Sequence, residues 1–249
     1  MHRFYVDTPI AEAGVCISLN AEESAHAARV LRLRPGEEVR LLDGENIWAA
    51  ELESVDAKET TAVVTSLCPS PEAPARAVLF QGLPKADKLE LITQKGTELG
   101  MWELWPVEME RSVARADKAD KAEKKRERLQ RIAMEAAKQS GRAHVPEVLP
   151  TTSLAKALDK LEAFDLVLVA WEDEHALSMS KAVLQHVQEH GAPEKVMIVI
   201  GPEGGISQAE WQKLHAAGAV SVTLGPRILR TETAGLCALS VLWTALGEM

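Results

Sequence analysis

The sequence predicts a two-part α/β protein: a small β-barrel, then a mainly parallel sheet with helices on both faces. Three observations carry this. From residue 76 onward, apolar β-branched runs alternate with amphipathic helical spans, the pattern of consecutive βα units. The first 70 residues instead hold short strand-like runs, one helix and a hairpin signal. Between them, PSPEAP places Pro69, Pro71 and Pro74 close together as a stiff linker. The expected domains are therefore residues 1–70 and 75–249.

Taken in order, RFYV opens the chain as a short strand. Asn20, with Glu23 three residues on, caps a helix that runs to about Leu31. Pro35-Gly36 turns the chain, and Asp43-Gly44 between two strand-like runs is a hairpin signal. TTAVVTSL completes the first part. Beyond the linker, RAVLFQGL is a strand. KADKLELITQKGTEL is a helix with Leu89, Ile92, Gly96 and Leu99 on one face, ended by Gly100. LWPV is strand-like. A long helix spans Asp117 to Ser140 and stops at Gly141, burying Leu129, Ile132, Ala133 and Ala136. Its first half is polar, with Asp117/Lys121, Asp120/Lys124 and Glu127/Arg131 in favourable i,i+4 order, and reads as a solvated face. FDLVLVA is a buried strand, and SMSKAVLQHVQEH is a helix ending at Gly191. VMIVI and VSVTL are further strands, and the last helix runs from Thr231 to Leu246.

Composition narrows the class. With 46% hydrophobic residues over 249 positions, a sizeable core is expected and whole-chain disorder is not. No apolar run approaches a membrane span, and MHRFYVDTPIAEAG lacks a signal-peptide core. Cys16, Cys68 and Cys237 are scattered and read as reduced thiols, which points to the cytoplasm. The net charge of −9 argues against a nucleic-acid partner until its distribution is examined. From Arg111 to Arg142 there are 11 Lys/Arg against 5 Asp/Glu, so a polyanion could be focused on one part of an acidic chain. Arg3, Arg29, Arg32 and Arg34 in the first part form one basic set. Lys85, Lys88, Lys95, Arg111, Arg115, Lys138 and Arg142 form a second. Phe and Tyr are too few to suggest a base-stacking platform.

The chemistry concentrates between Val196 and Ala234. Two buried strands each end in a glycine-proline turn, IGPEGGIS and LGPRILRTETA, each leading into a helix. Ligands of open α/β sheets sit where strand ends meet such turns. Ser207-Gln-Ala-Glu210 is a capping box, so the first turn feeds a helix N-terminus that could favour an anion. The chain lacks GxxxxGK[ST] and GxGxxG, which disfavours nucleoside triphosphates and dinucleotides. Taken alone, the first turn is as well explained by structure as by a ligand. The second gathers Arg227, Arg230, Thr231, Glu232 and Thr233, a costly set to bury unpaired. The bland reading makes Thr231 or Thr233 a helix cap, with Glu232 facing the helix dipole. His186-Val-Gln-Glu-His190 matches a short zinc-hydrolase pattern, but in the last turn of a helix a solvated pair is the better reading and no metal is expected. The acidic run from Trp171 to His175 reads as a loop at the same sheet edge.

The segments QGLPKADKLELITQKGTELG, ERSV, EAAKQSGR, IGPEGGIS and LGPRILRTETA resemble those of the bacterial 16S rRNA (uracil-N3)-methyltransferases, of the SPOUT superfamily of S-adenosylmethionine-dependent enzymes. RFYV, His26 with VLRLRPGE, and LLDG extend the resemblance into the first part, so it covers nearly the whole chain. It implies a PUA-like RNA-binding barrel, a SPOUT domain with a C-terminal trefoil knot, and a homodimer acting on 16S rRNA or the small ribosomal subunit. It implies an S-adenosylmethionine site formed by Gly201, Pro202, Glu203, Gly204, Gly205, Leu224, Gly225, Ile228, Leu229, Arg230 and Thr231, with Glu172 beside them. RNA contacts would fall on Arg3, His26, Arg29, Arg32, Lys85, Lys88, Lys95, Arg111, Lys138, Gln139 and Arg142.

Uracil N3 is a poor nucleophile while it keeps its proton. The site therefore needs a base, or donors that stabilise the anion spread over O2 and O4. Arg230 is the expected anion stabiliser, with Glu203 and Glu232 as bases or positioning groups. Two other readings of the sequence are a SPOUT enzyme acting on another rRNA position or a ribose 2′-hydroxyl, and a non-catalytic RNA-binding assembly factor.

Overall fold

A computed structural model describes residues 1–115 and 119–249. Asp117 and Lys118, at the start of the expected long helix, lie outside the described residues, so the Asp117/Lys121 pair does too. The rest forms two compact units: Met1–Glu72 with Ala137–Val145, and Ala73–Ala136 with Pro146–Met249.

The first unit contains β1 (His2–Tyr5), β2 (Cys16–Ser18), α1 (Ala21–Ala25), β3 (Glu38–Leu42), β4 (Ile47–Ser54) and β5 (Thr61–Cys68). The sheet order is β1-β3-β4-β5-β2, parallel only between β1 and β3. Register irregularities at Ala49/Ala50 and Leu52/Ser54 bend β4 and curl the sheet into a half-barrel, with β1 and β2 as its edges. Phe4, Leu41, Trp48, Leu52 and Val64 fill its concave core.

The hairpin is fixed by Asp43. Its carboxylate accepts from the backbone N–H groups of Ile10, Glu45 and Asn46 at 3.2, 3.0 and 2.6 Å, and from Trp48 Nε1 at 2.9 Å. Burial pushes this carboxyl up, but the converging donors outweigh it and hold the group below the usual carboxylate range. Asn20 caps α1 by accepting from the Glu23 N–H at 2.9 Å. The helix then widens to a π-helix over His26–Leu31, a departure from the regular helix expected, and ends at Arg32 in the left-handed region. Residues 137–145 cover the other face of the sheet, where Ala137 and Ala143 pack on Tyr5, Leu42 and Ile47.

The second unit carries the rest: β6 (Arg76–Gly82), α2 (Lys88–Glu98), β7 (Met101–Glu108), α3 (Ala119–Ser140, to Ala136 in this unit), β8 (Glu147–Val148), β9 (Thr152–Ser153) and α4 (Leu154–Leu158). Then follow β10 (Leu166–Ala170), α5 (Met179–His190), β11 (Lys195–Ile200), α6 (Gln208–Ala216), β12 (Val220–Val222) and α7 (Thr231–Leu246). The strand order is β12-β10-β11-β6-β7-β8, with β9 also on β7, and every pairing is parallel.

Strands buried on both faces need apolar side chains throughout, which is why these read as unbroken apolar runs. On one face Val78, Phe80, Val167, Val169, Met197 and Val199 pack with Leu154 of α4 and Leu214 of α6. On the other, Leu79 meets α7 at Gly235, where an added Cβ would stand 3.2 Å from Leu79 Cδ2. Because all strands point one way, the loops after β6, β10, β11 and β12 share one edge. β6 has β7 on one side and β11 on the other, so the chain order reverses beside those loops.

Candidate active site

At that edge lies an open cavity of about 450 Å³. Its size suits a ligand of nucleoside dimensions. It brings together Glu172, Gly201, Pro202, Glu203, Gly205, Leu224, Gly225, Ile228, Leu229, Arg230 and Thr231, which are all the expected cofactor residues except Gly204. Gly204 instead packs behind the loop, where a Cβ would stand 2.9 Å from Arg111 Cβ; Arg111 Nη1 donates to the Gly204 carbonyl at 3.1 Å. Gly205 adopts φ +72°, and a side chain there would meet Glu172 Oε1 at 2.9 Å. At Gly204 a Cβ would force Arg111 to shift, and at Gly205 the positive φ strains any other residue.

The floor of the cavity is tied by one hydroxyl. Thr231, 5% exposed, donates to the Gly201 carbonyl at 2.7 Å and accepts from Gln81 Nε2 at 2.8 Å. Gln81 Nε2 also donates to the Gly82 carbonyl at 3.0 Å. The end of β6, the loop after β11 and the start of α7 therefore meet at one point. This corrects the cap reading of Thr231: the N-cap of α7 is Arg230, whose carbonyl accepts from the N–H groups of Thr233 and Ala234 at 2.8 Å.

The anion reading of the first turn is disfavoured by geometry. The start of α6 is filled by the chain's own carboxylates. Ser207 and Glu210 form the full capping box, Ser207 Oγ donates to Glu110 Oε2 at 2.6 Å, and the Glu110 N–H donates to Glu210 Oε1 at 2.7 Å.

Lys88, expected on the RNA-binding face, sits in the cavity wall. Its Nζ lies 2.9 Å from Glu203 Oε1 and 3.0 Å from Glu232 Oε2. Glu203 Oε1 also accepts the Lys85 N–H at 3.0 Å. Burial pushes the Glu203 carboxyl up, but Lys88 and the Lys85 N–H outweigh it and hold it low. Burial likewise pushes Glu232 up, against its own backbone N–H, Lys88 and Arg230, and the net direction is down. Hydrogen bonds to Glu203 and Glu232 raise the Lys88 ammonium. All three groups are charged at neutral pH, and carboxyls held this low are weak proton acceptors.

The cavity also takes in Arg227, expected in the second turn, and Trp171 and His175, expected in a loop at the same sheet edge. Trp171 stacks on Trp211 with ring centroids 4.4 Å apart, and Trp211 stacks on His215 at 5.3 Å. No spacing rule links positions 171, 211 and 215. The shared sheet edge brings them together.

A family profile described as an RNA methyltransferase domain matches residues 71–243, and one described as an RNA methyltransferase PUA domain matches residues 19–65. The ribosomal RNA small subunit methyltransferase E of Bacillus subtilis (strain 168) is 38% identical over 247 residues, covering 97% of this chain and 96% of its own. The chain belongs to this RNA methyltransferase family. The Mycobacterium bovis protein of the same name is 34% identical, covering 95% of this chain and 88% of its own. A crystal structure of ribosomal RNA small subunit methyltransferase E from Neisseria gonorrhoeae, bound to S-adenosyl methionine, superposes with a TM-score of 0.82 at 31% identity, covering 98% of this chain and 97% of that one. The PUA match lies within the first unit, and the methyltransferase match covers most of the second unit together with residues 137–145 of the first.

The remaining basic candidates divide between the units. In the first, Arg3, His26, Arg29, Arg32 and Gln139 are exposed, and Lys138 is ion-paired with Glu23 at 2.7 Å. Arg142 is not on an RNA-facing surface. It is 4% exposed, and its Nη2 lies 2.6 Å from Glu72 Oε2, while Glu72 also accepts the His144 N–H at 3.1 Å. Its place is the interior of the unit, because a guanidinium so enclosed needs a carboxylate partner. In the second unit Lys85 and Arg111 are exposed, and Lys95 pairs with Glu98 at 2.7 Å. The rings of His186 and His190 lie 5.0 Å apart, and among the described residues no three His, Cys, Asp or Glu side chains are grouped to hold a metal. Among the described residues no helix is long and apolar enough to cross a membrane.

Proposed function

We propose that this chain methylates N3 of a uridine in 16S rRNA, with S-adenosylmethionine held in the cavity between the loops after β11 and β12. The observation that carries the reading is that cavity. It has apolar side chains of Leu224, Ile228 and Leu229 in its lining, two glycine-bearing loops with Gly205 at a φ that strains any other residue, and Arg230 exposed at its rim. The same residues fit the cofactor: backbone of Gly201, Gly205 and Gly225 for close contact, and Leu224, Ile228 and Leu229 for apolar surface. Bound there, the cofactor would supply an electrophilic methyl group on a sulfonium.

The chain's task is then placement and charge. Much of the rate comes from holding N3 in line with the methyl group. Arg230 donates toward uracil O2 or O4 and stabilises the anion that forms as the N3 proton leaves. Glu203 and Glu232, held low and ion-paired with Lys88, act as positioning groups, and the N3 proton passes to solvent water at the open cavity.

The substrate uridine would be delivered by the small ribosomal subunit, bound through the exposed cations of both units, which places the enzyme in the cytoplasm. A homodimer is supported by α7, on which Leu236, Cys237 and Val241 are only partly covered, and by Leu184 of α5 at 48% exposure. A C-terminal trefoil knot involving α7 is part of the same proposal. Its support is the return of the chain after β12 to the Gly201 loop through Thr231. Arg230→Ala is expected to keep its fold while losing methyl transfer by at least ~10²-fold. Normal turnover by that variant refutes the assignment.

A further inference from the structure

Lys88 lines the cavity, yet nothing in the chemistry of methyl transfer requires an ammonium there. Its surroundings also argue against a phosphate contact. One cation lies between two carboxylates, at 2.9 and 3.0 Å, with its side chain only 27% exposed. Nζ is already taken up by two carboxylates, and with Arg230 acting on Glu232 the cluster carries no net positive charge to attract a phosphate. The three groups come from three distant parts of the chain: the first residue of α2, the loop after β11 and the first turn of α7. Those last two segments form the cavity's walls and carry the backbone and the Arg230 side chain that the proposed reaction uses.

We propose that Lys88 is a positioning residue for methyl transfer, its ammonium binding Glu203 and Glu232 together so that the loop after β11 and the start of α7 hold the cofactor and Arg230 in register. The inference rests on the functional reading above. Both carboxylates reach one nitrogen, so without it they face each other as like charges and move apart. Glu203 would keep the Lys85 N–H, and Glu232 would keep its own backbone N–H and the field of Arg230. Neither contact joins the two walls, so the Thr231–Gly201 bond at their base is left to hold them against that repulsion. Glu172 beside Gly205, Arg227 and His175 are the other charged or titratable groups that line the same cavity, with Arg230.

The test uses full-length protein, small ribosomal subunits lacking the modification, and calorimetry with S-adenosylmethionine. Lys88→Met is expected to lose on the order of 10²-fold in kcat. Its cofactor affinity should weaken at pH 8 and recover toward pH 5, as one carboxyl takes up a proton. The salt dependence of its rRNA binding should match wild type. Lys88→Arg should regain most of the activity. Lys88→Met should also cost less cofactor affinity in a Glu232→Gln background than alone, because the repulsion is then absent.

A Lys88→Met protein with wild-type cofactor affinity and kcat, whose rRNA salt slope falls by about 0.7–0.9, is a lost phosphate contact and overturns the inference. Equal costs in the two backgrounds overturn it as well, and that comparison stands if Lys88→Met alone folds poorly. Failure of the wild-type protein to bind S-adenosylmethionine overturns the functional reading itself, and is told apart by needing no variant.

Discussion

Replacing Thr231 with Val removes one hydroxyl from the cavity floor and changes little else, because the two side chains are nearly the same shape. The hydroxyl makes two bonds, to the Gly201 carbonyl at 2.7 Å and from Gln81 Nε2 at 2.8 Å, at a residue 5% exposed. Gln81 Nε2 keeps its bond to the Gly82 carbonyl, so that nitrogen loses one of its two acceptors. The Gly201 carbonyl loses this donor inside the protein. Each buried polar group left unmet costs about 1–3 kcal/mol, which gives a loss of about 2–4 kcal/mol. For a chain of this size that lowers Tm by roughly 5–15 °C. Urea unfolding followed by tryptophan fluorescence reads the free energy, and calorimetry reads S-adenosylmethionine affinity, which should fall because the Gly201 loop is no longer held. Gln81→Leu and the double variant complete a cycle whose coupling should be at least about 1 kcal/mol. A Thr231→Val protein within about 0.5 kcal/mol of wild type, with unchanged affinity, refutes the idea that this hydroxyl ties the floor.

Asp43→Ala should destabilise the first unit by about 2–3 kcal/mol at pH 7, since four donors lose a charged acceptor. The native Asp43 pKa lies below its unfolded value of about 3.9, so the stabilisation is complete above that pH and is lost as pH falls through the lower native value. The gap between wild type and variant in denaturant titrations should therefore close in acid. Arg142→Met leaves Glu72 enclosed without its cation and should cost about 3 kcal/mol in urea unfolding, while leaving the salt dependence of rRNA binding unchanged. A reduced salt slope with unaltered stability would return Arg142 to the RNA surface.

The parts of the fold that the sequence discloses are those set by local chemistry. The apolar runs become β6, β10 and β11, and the glycine after each helix marks its end at Gly100, Gly141 and Gly191. Ser207 and Glu210 announce the start of α6, and the last helix runs over the expected Thr231–Leu246. The two glycine-proline turns mark the cavity for the same reason, since backbone must approach closely there.

What stays hidden depends on strand order. Lys88 follows β6 by six residues and looks like one more surface lysine in a helix of mixed charge. It enters the cavity only because β6 lies against β11, which brings α2 beside Glu203 and Glu232. Arg142 sits in an exposed-looking KQSGR turn, and its burial requires Glu72, seventy residues earlier. Trp171, Trp211 and His215 are separated by loops of no recognisable period, and their stack is a product of topology. Local pattern finds where a ligand could sit. Which charged side chains surround it is decided by non-local pairing, and a single sequence does not display that.

The central claim is methyl transfer to uracil N3, and one measurement addresses it directly. Purified protein is incubated with S-adenosylmethionine and small ribosomal subunits lacking the modification, and the rRNA is then digested to nucleosides and resolved by mass spectrometry against standards. One new methyl group per subunit is expected, carried as 3-methyluridine, and none with Arg230→Ala. A methyl group on a ribose 2′-hydroxyl or another base, or no transfer by a protein that binds both substrates, would contradict it.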